Sequence, residues 1–600
     1  MTAAPVAHKT GGHGSDAMAS TRHHLRRFRH VWVLDFEYQT THHVLPVPVA
    51  MVAHDVMTGR QLRLGPESMG PNPFDADGPS LFVAFQAGAE ASCFLALGWP
   101  LPRQWLCLYA EARRLSNGTQ VAGNGLLHVM SRYGLPVREA AHKKTMQELI
   151  GSGRWQQPDL PAILEYCSED VADTIAMLNR MLPDILREAV PPNGDQALAQ
   201  AIIRGTFMAE NARIERLGLP VDVSAWNLVT ERWPSIRENL IAKVDEAYGV
   251  FVNGSFSASR FAEYLKRERI PWPTLPSGAL ALDDDSFRSR AKAEPRVASL
   301  RELRVALSQM RGNSIIVDPD GRARTHMRPL VSKTGRSQPS TSRYLFGASK
   351  WVRSFLRAPE GMTFAYLDFR SQEIAIAAHL AGDELLKASY ASGDPYMAFA
   401  IQAGLAPAGA TKKTHGDARA ACKTIVLGVA YGMSAASMAE QSGVSLVTCT
   451  ELLQRHLETY RPYWRFVQDY RDRIASGQPA YTPLGWRIKL GRGSEVNDRS
   501  NGNWPVQSTG SDIVRPAVIF CAAAGVPSCG TVHDALCFCV PTDRADELLA
   551  VARQQMERAA AAVVGGVIGV DVTRYDHTEV YRDEVGFDFY ETVTRMARGG

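Results

Sequence analysis

No apolar run in this 600-residue chain approaches the ~18–20 residues that a membrane-spanning helix needs. The opening thirty residues, rich in His, Arg, Gly and Ala, contain no apolar segment of the signal-peptide kind and read as a disordered leader over 1–28. Cysteine is scarce: none of the nine forms a CxxC pair or a zinc spacing. Cys537 and Cys539 alternate along an apolar strand as buried thiols do, which suits a reducing cytoplasm. A large excess of either charge is also missing. The net charge of +4 admits a polyanionic partner without demanding one, because a binding face depends on where the charge lies. There is no internal repeat and no long low-complexity tract. What is present, 45% hydrophobic residues in a chain of this length, exceeds one core and implies two to four domains.

Short apolar strands (VWVLDFEY, PVAMVAHDV, SLFVAFQAG) alternate with helical stretches over residues 28 to about 188, an α/β pattern. AVPPNGDQ (189–196) reads as a linker, so the parts on either side are expected to fold as separate units. Mostly helical sequence follows to about 330, and beyond it helices alternate with strands such as TFAYLDF and TVHDALCFCVP.

YLDFRSQEIAIAAHLAGD (366–383) ends an apolar strand at Asp368, with Glu373 five residues later at the start of an amphipathic helix. An Asp at a strand end is commonly a cap or turn former; a metal reading requires a second carboxylate. TVHDALCFCVP supplies one, with His533 and Asp534 at an expected hairpin. Between them, RAACKTIVLGVAYG sets Arg419, Lys423, Leu427 and Tyr431 four apart along one drifting helix face. A line of cation, cation, apolar and aromatic suits a nucleoside triphosphate, although Arg and Lys at i and i+4 also make ordinary solvated faces.

In order and spacing these stretches resemble motifs A, B and C of the family A DNA polymerases, over roughly residues 200 to 600. The resemblance extends to TGR (334–336), similar to a primer-grasping element through Arg336, and to Arg353 as a triphosphate-side arginine. It extends also to Arg499, Asn503 and Gln507, matching residues along the primer–template minor groove, where His533 joins the DNA contacts. The resemblance implies a right-hand polymerase domain of mixed α+β class, with palm, fingers and thumb. Asp368 and Asp534 would be its metal ligands and Arg353, Arg419 and Lys423 would hold the triphosphate. Lys423 would protonate the leaving group, and Glu373, Leu427 and Tyr431 would flank the sugar and base. Three positions depart from the family pattern: Ala535 replaces the acid after the motif C aspartate, Leu427 a mid-motif aromatic, and Tyr396 a phosphate-binding histidine.

Asp35 and Glu37, two apart in VWVLDFEY, share one side of a strand, where paired acids are costly unless a metal or protons neutralise them. LEYCSEDVADT (164–174) places Tyr166 and Asp170 on one helix face. Together they resemble the tyrosine variety of the DEDD 3′–5′ exonucleases, a ribonuclease H-like α/β fold, with Glu90 in AFQAGAEASCF as the remaining acid. The implied ligands are Asp35, Glu37, Glu90 and Asp170, with Tyr166 orienting water. The expected layout is a leader at 1–28, an exonuclease domain at 29–188, linker and thumb at 189–330, and palm and fingers at 331–600. The expected function is template-directed, proofreading DNA synthesis in replication or repair. Two Mg²⁺ per active site are implied, for which Mn²⁺ can substitute. The expected partners are primer–template DNA, deoxynucleoside triphosphates and a processivity factor, with no membrane association. A single-subunit RNA polymerase and an inactive DNA-binding subunit are the competing readings. Glu373, which RNA-synthesising relatives lack, opposes the first, and the full motif set opposes the second.

Overall fold

The structure is a computed structural model, which describes residues 12–40, 45–74, 78–119, 121–138, 140–188, 194–311, 315–430, 432–442, 444–491, 497–583 and 586–599. The leader expectation fails from Gly12 onward. Gly12–Leu25 (α1) is a helix, Leu25 and Phe28 are buried, and Thr21 donates to the Asn179 side chain at 2.6 Å. Its apolar positions are too sparse to mark a helix in isolation; packing on a distant helix supplies what local pattern lacks.

A five-stranded sheet follows, built from His30–Thr40 (β1), Pro46–Asp55 (β2), Gln61–Leu64 (β3), Ser80–Ala84 (β4) and Trp105–Cys107 (β5). Its order is β3-β2-β1-β4-β5, antiparallel among the first three and parallel from β1 through β4 to β5. Alternation along β1 sends Trp32, Leu34 and Phe36 into one apolar layer and Val31 and Val33 into the other. Helices Ala87–Ala96 (α2), Leu108–Ser116 (α3), Ala140–Gly151 (α4) and Leu160–Arg187 (α5) complete this α/β layer.

Two compact units divide the chain differently from the expected layout. The first takes in Met1–Leu217, His326–Gln338 and Ala365–Arg574. The helix Gly194–Leu217 (α6), read beforehand as part of a linker and thumb, belongs here; a Cβ on Gly205 would strike the Trp105 carbonyl, so the glycine permits α6 to lie directly on β5. The α/β layer and the later sequence also share a core, since Trp32, Leu34 and Phe36 belong to the same apolar cluster as Leu330, Ile474, Trp486, Ile488 and Trp504. This corrects the expectation of separately folding halves. A break in sequence at 189–196 says nothing about which apolar faces meet later, and residues 189–193 lie outside those described.

The same unit holds most of a four-stranded sheet of Met362–Phe369 (β6), Gly530–Val532 (β7), Ala535–Pro541 (β8) and Val570–Asp576 (β9), in the order β7-β8-β6-β9. The unit also holds the helices Gln372–Ala381 (α7), Gly416–Ala430 (α8) and Asp498–Ala523 (α9).

The second unit comprises Gly218–Thr325, Pro339–Phe364 and Tyr575–Gly600, so the C-terminal segment leaves the expected palm and fingers. In it the helix Val223–Asp245 packs on Phe587–Ala597, Trp226 meets Phe355 edge-on at 5.2 Å, and Trp233 stacks on Trp351 at 6.2 Å. Phe256, Phe261, Trp272 and Phe287 form a second aromatic knot, with the Arg304 guanidinium over Phe256 and Phe287.

Two candidate active sites

In the α/β layer, strand alternation points Asp35 and Glu37 to the side covered by α5, and one helical turn brings Tyr166 and Asp170 to the same place. Carboxylate oxygens of Asp35, Glu37 and Asp170 lie within 4.8 Å of one another. Burial is the first cause raising Asp35 to about 8, followed by the Asp170 charge. Burial also leads for Glu37, pushed up to about 9, with Asp35 and Asp170 adding to it. Tyr166 is buried and its hydroxyl is raised by desolvation and by the same acids. Such a set of crowded, partly protonated carboxylates fits a divalent cation, which would replace the protons.

Glu90 stands beside this triplet rather than within it. Its buried Oε2 accepts the Phe36 backbone N–H at 2.8 Å, and it interacts electrostatically with Asp35, Glu37 and Asp170. Two cations missed in the sequence occupy the site as well. Lys143 Nζ donates to Asp170 at 2.6 Å and Arg138 bonds the other Asp170 oxygen, both lying over the Tyr166 ring. In AHKKT, Lys143 has the look of a solvated helix residue, and only its position along α4 could have singled it out.

The second acid site is built from separate strands. β7 and β8 form a two-residue hairpin, Val532 opposite Ala535, which leaves His533 and Asp534 at its tip. His533 is exposed and adopts φ 55°, a conformation uncommon outside Gly, Asn and Asp. β8 lies next to β6, and Asp368 and Asp534 are close enough for the Asp534 charge to help raise Asp368. Burial is the larger cause, and together with Asp534 and Asp571 it takes Asp368 to about 7. Asp534 is likewise raised by burial, opposed by Arg336 and His533. Asp368 Oδ1 is buried without a hydrogen-bond partner. An orphan carboxylate oxygen facing a second acid is the donor set a hard cation uses, so the residues fit Mg²⁺.

Asp571 is a further acid the sequence reading missed. It stands on β9 beside β6 and pairs with Arg370, and its signal was an acid in a short strand outside any recognised motif. Glu373 falls in the first turn of α7, raised by burial and countered by Arg336. Glu373, Val426, Val429 and Asn503 line one small pocket, so motif A, the motif B helix and α9 converge there. Arg419 donates to Asp394 at 2.6 Å, and both Arg419 and Lys423 lie over the Tyr396 ring at 5.2 and 5.9 Å. Leu427 is half-buried on α8, and Tyr431 lies outside the described residues. Arg499, Asn503 and Gln507 follow one face of α9, and a Cβ on Gly432 would touch the first two. Arg353 belongs to the second unit, where it pairs with Asp583 at 3.1 Å and donates to the Phe346 carbonyl.

The profile of DNA polymerase family A matches residues 291–574, a stretch holding both acids and all three motifs. These residues are a DNA polymerase family A domain. The chain is 23% identical over 430 residues to a DNA polymerase I of Aquifex aeolicus, covering 67% of this chain and 73% of that one. It is 24% identical over 455 residues to a DNA polymerase of Mycobacterium phage D29, covering 72% and 70%. A thermostable DNA polymerase I of Thermus filiformis is 29% identical over 283 residues, 44% of this chain but a third (33%) of that protein. Among solved structures, the POL domain of Pol1 from M. smegmatis, in complex with DNA primer–template and dNTP, superposes with a TM-score of 0.66. It is 19% identical, covers 94% of this chain and 97% of that one, and shows the shared fold. Over about two thirds of its length the chain is thus similar to a DNA polymerase I and to a phage DNA polymerase, and residues 291–574 carry the family A match. Among the described residues no helix is long and apolar enough to cross a membrane.

Proposed function

We propose that the chain extends a DNA primer on a template with deoxynucleoside triphosphates and trims the same primer from its 3′ end at a second site. The observation that carries the first activity is the approach of Asp368, on β6, to Asp534, at the β7–β8 turn, with one Asp368 oxygen buried and unbonded. Two Mg²⁺ ions held by these carboxylates would lower the pKa of the primer 3′-hydroxyl and neutralise charge on the departing pyrophosphate. The chain's own groups do the rest. Lys423 and Arg419, gathered over Tyr396, hold the triphosphate, and Lys423 donates a proton to the pyrophosphate as its bond to the α-phosphorus breaks and the 3′-oxygen bond forms. Arg336, beside Asp534 and Glu373, neutralises the primer end, while Arg499, Asn503 and Gln507 track the duplex.

The trimming site rests on the Asp35–Glu37–Asp170 cluster. There Tyr166 orients a water for attack on the terminal phosphodiester, and Glu90 steadies the strand by its bond to Phe36. A divalent ion held by the cluster would supply the hydroxide.

Primer extension in Mg²⁺ with deoxynucleotides, with ribonucleotides, and with neither tests the reading, beside a gel shift without metal. Extension confined to deoxynucleotides is expected. Equal use of ribonucleotides makes it an RNA polymerase, and a gel shift without extension makes it a binding subunit.

A further inference from the structure

The segment His326–Gln338 carries Thr334, Gly335 and Arg336, and Arg336 is the cation whose field reaches both Asp534 and Glu373. Its backbone is unusual. Arg328 and Leu330 adopt φ 47° and 61°, and Gly335 φ 73°. A branched residue such as Leu330 in the left-handed region is strained and persists only where its surroundings over-determine it. Those surroundings come largely from the α/β layer. Leu330 is fully buried in the core that also contains Trp32 and Phe36. Arg113, on α3, donates through Nε to the Leu330 carbonyl at 3.3 Å and through Nη2 to the Val331 carbonyl. Asn117, the residue just past α3, donates through Nδ2 to the Lys333 carbonyl at 2.8 Å and to the Arg487 carbonyl at 2.6 Å.

Palm-side groups close the other side. The Trp486 and Trp504 indoles both donate to the Lys333 carbonyl at 3.0 Å. Arg515 donates to the Gly335 carbonyl at 3.1 Å, and a Cβ on Gly335 would run into the Arg515 guanidinium and the Trp486 ring. Ser332 Oγ accepts the Arg336 N–H at 2.7 Å, which sets the direction in which the Arg336 side chain leaves the loop. Three donors therefore converge on the Lys333 carbonyl, and one of the three is supplied by the nuclease layer.

We infer that Arg113 and Asn117, residues of the nuclease layer, are positioning residues for DNA synthesis: they hold the 330–336 loop so that Arg336 meets the primer end. The layer is thereby part of the polymerase's primer grip and not only a neighbouring activity. This rests on the proposed polymerase reading of Asp368 and Asp534. A loop freed from these bonds leaves buried carbonyls unpaired and lets strained residues relax, and a displacement of Arg336 by about an ångström is enough to weaken contact with the primer.

The test uses the full-length protein and a primer ending in a phosphorothioate, so that trimming does not enter. Asn117→Asp keeps the shape and removes both donated bonds; Arg113→Ala and Arg113→Lys remove or partly restore the other pair. Expected for Asn117→Asp and Arg113→Ala is a rise of about tenfold or more in the KM for primer–template, with kcat within about threefold of wild type. Arg113→Lys should recover part of the loss. Arg336→Ala should reproduce the KM defect, and Asn117→Asp combined with it should add little, because both act through one side chain. Melting temperatures are measured alongside. A wild-type KM in both single variants overturns the inference, as does a fall in kcat at unchanged KM, or a double variant whose defects simply multiply. If the wild-type protein does not extend primers, the polymerase reading itself fails, an outcome distinct from all of these.

Discussion

The two acid centres in the first unit are neutralised by different means. In the α/β layer three carboxylates crowd within 4.8 Å, and Lys143 and Arg138 already bond one of them. In the palm, Asp534 at a hairpin tip lies within electrostatic reach of Asp368 on the neighbouring strand β6; among the described residues neither forms an ion pair at contact, and Arg336 acts on Asp534 only through its field. The first centre is balanced at rest by its own cations and by protons, so a divalent ion has to displace both. The second leaves an orphan oxygen and depends more directly on the ion. The centre with more acids is thus expected to be the more pH-sensitive in its metal binding.

The sharpest way to break the comparison is to remove the acids of one centre alone. Asp35→Ala with Glu37→Ala should lower 3′–5′ degradation of a labelled single strand by at least ~10³-fold while extension stays within about threefold. Loss of extension to a similar degree would mean that the shared core couples the two chemistries.

Glu373 tests the palm centre for selectivity. Glu373→Ala should raise the use of ribonucleotides relative to deoxynucleotides by about 10²–10³-fold in kcat/KM, on the scale of ~3–4 kcal/mol. An unchanged ratio would reduce Glu373 to a residue of the first turn of α7.

Proton competition comes next in size. Asp35 and Glu37 sit at about 8 and about 9 when metal-free, above the ordinary carboxylate range. The folded state therefore keeps protons that the unfolded chain has released, and the stability of the metal-free protein falls as pH rises from about 4 through 9. Mg²⁺ should raise the melting temperature more at pH 9 than at pH 6, a difference that Asp35→Asn with Glu37→Gln removes. An equal shift at both values would contradict the burial of this pair.

The smallest effect concerns the helix Leu446–Thr459. His456 is buried, accepts the Trp464 indole N–H at 3.1 Å, and is pushed by desolvation down to about 3. The unfolded chain takes up this proton first, so stability is lost as pH falls below about 6.5, by ~2 kcal/mol at pH 5. His456→Phe should flatten that part of the acid limb in denaturant titrations, and an unchanged limb would place the acid sensitivity elsewhere.

Legibility in the sequence followed the range of the interaction. Asp35 and Glu37 were readable because strand alternation is local, and Asp368 and Asp534 because each ends or turns an apolar strand within a motif. The helical leader was not readable, since α1 is held by α5 far along the chain. Nor was the true place of α6, which depends on Gly205 meeting the Trp105 carbonyl. Lys143, Asp571, Arg113 and Asn117 carry no local mark: each acts on a partner that only folding brings near. Glu90 was found by its motif position, but its bond to the Phe36 backbone could not have been.

The central claim, that Asp368 and Asp534 form a polymerase centre distinct from the acids of the α/β layer, is tested most directly by Asp534→Ala. With Ala535 beside it, no neighbouring acid in motif C can substitute. Single-nucleotide addition to a matched primer–template is measured in parallel with degradation of a single strand, in Mg²⁺. The expected result is a loss of at least ~10³-fold in addition with degradation within about threefold of wild type. Addition within tenfold of wild type would contradict the assignment of the polymerase site.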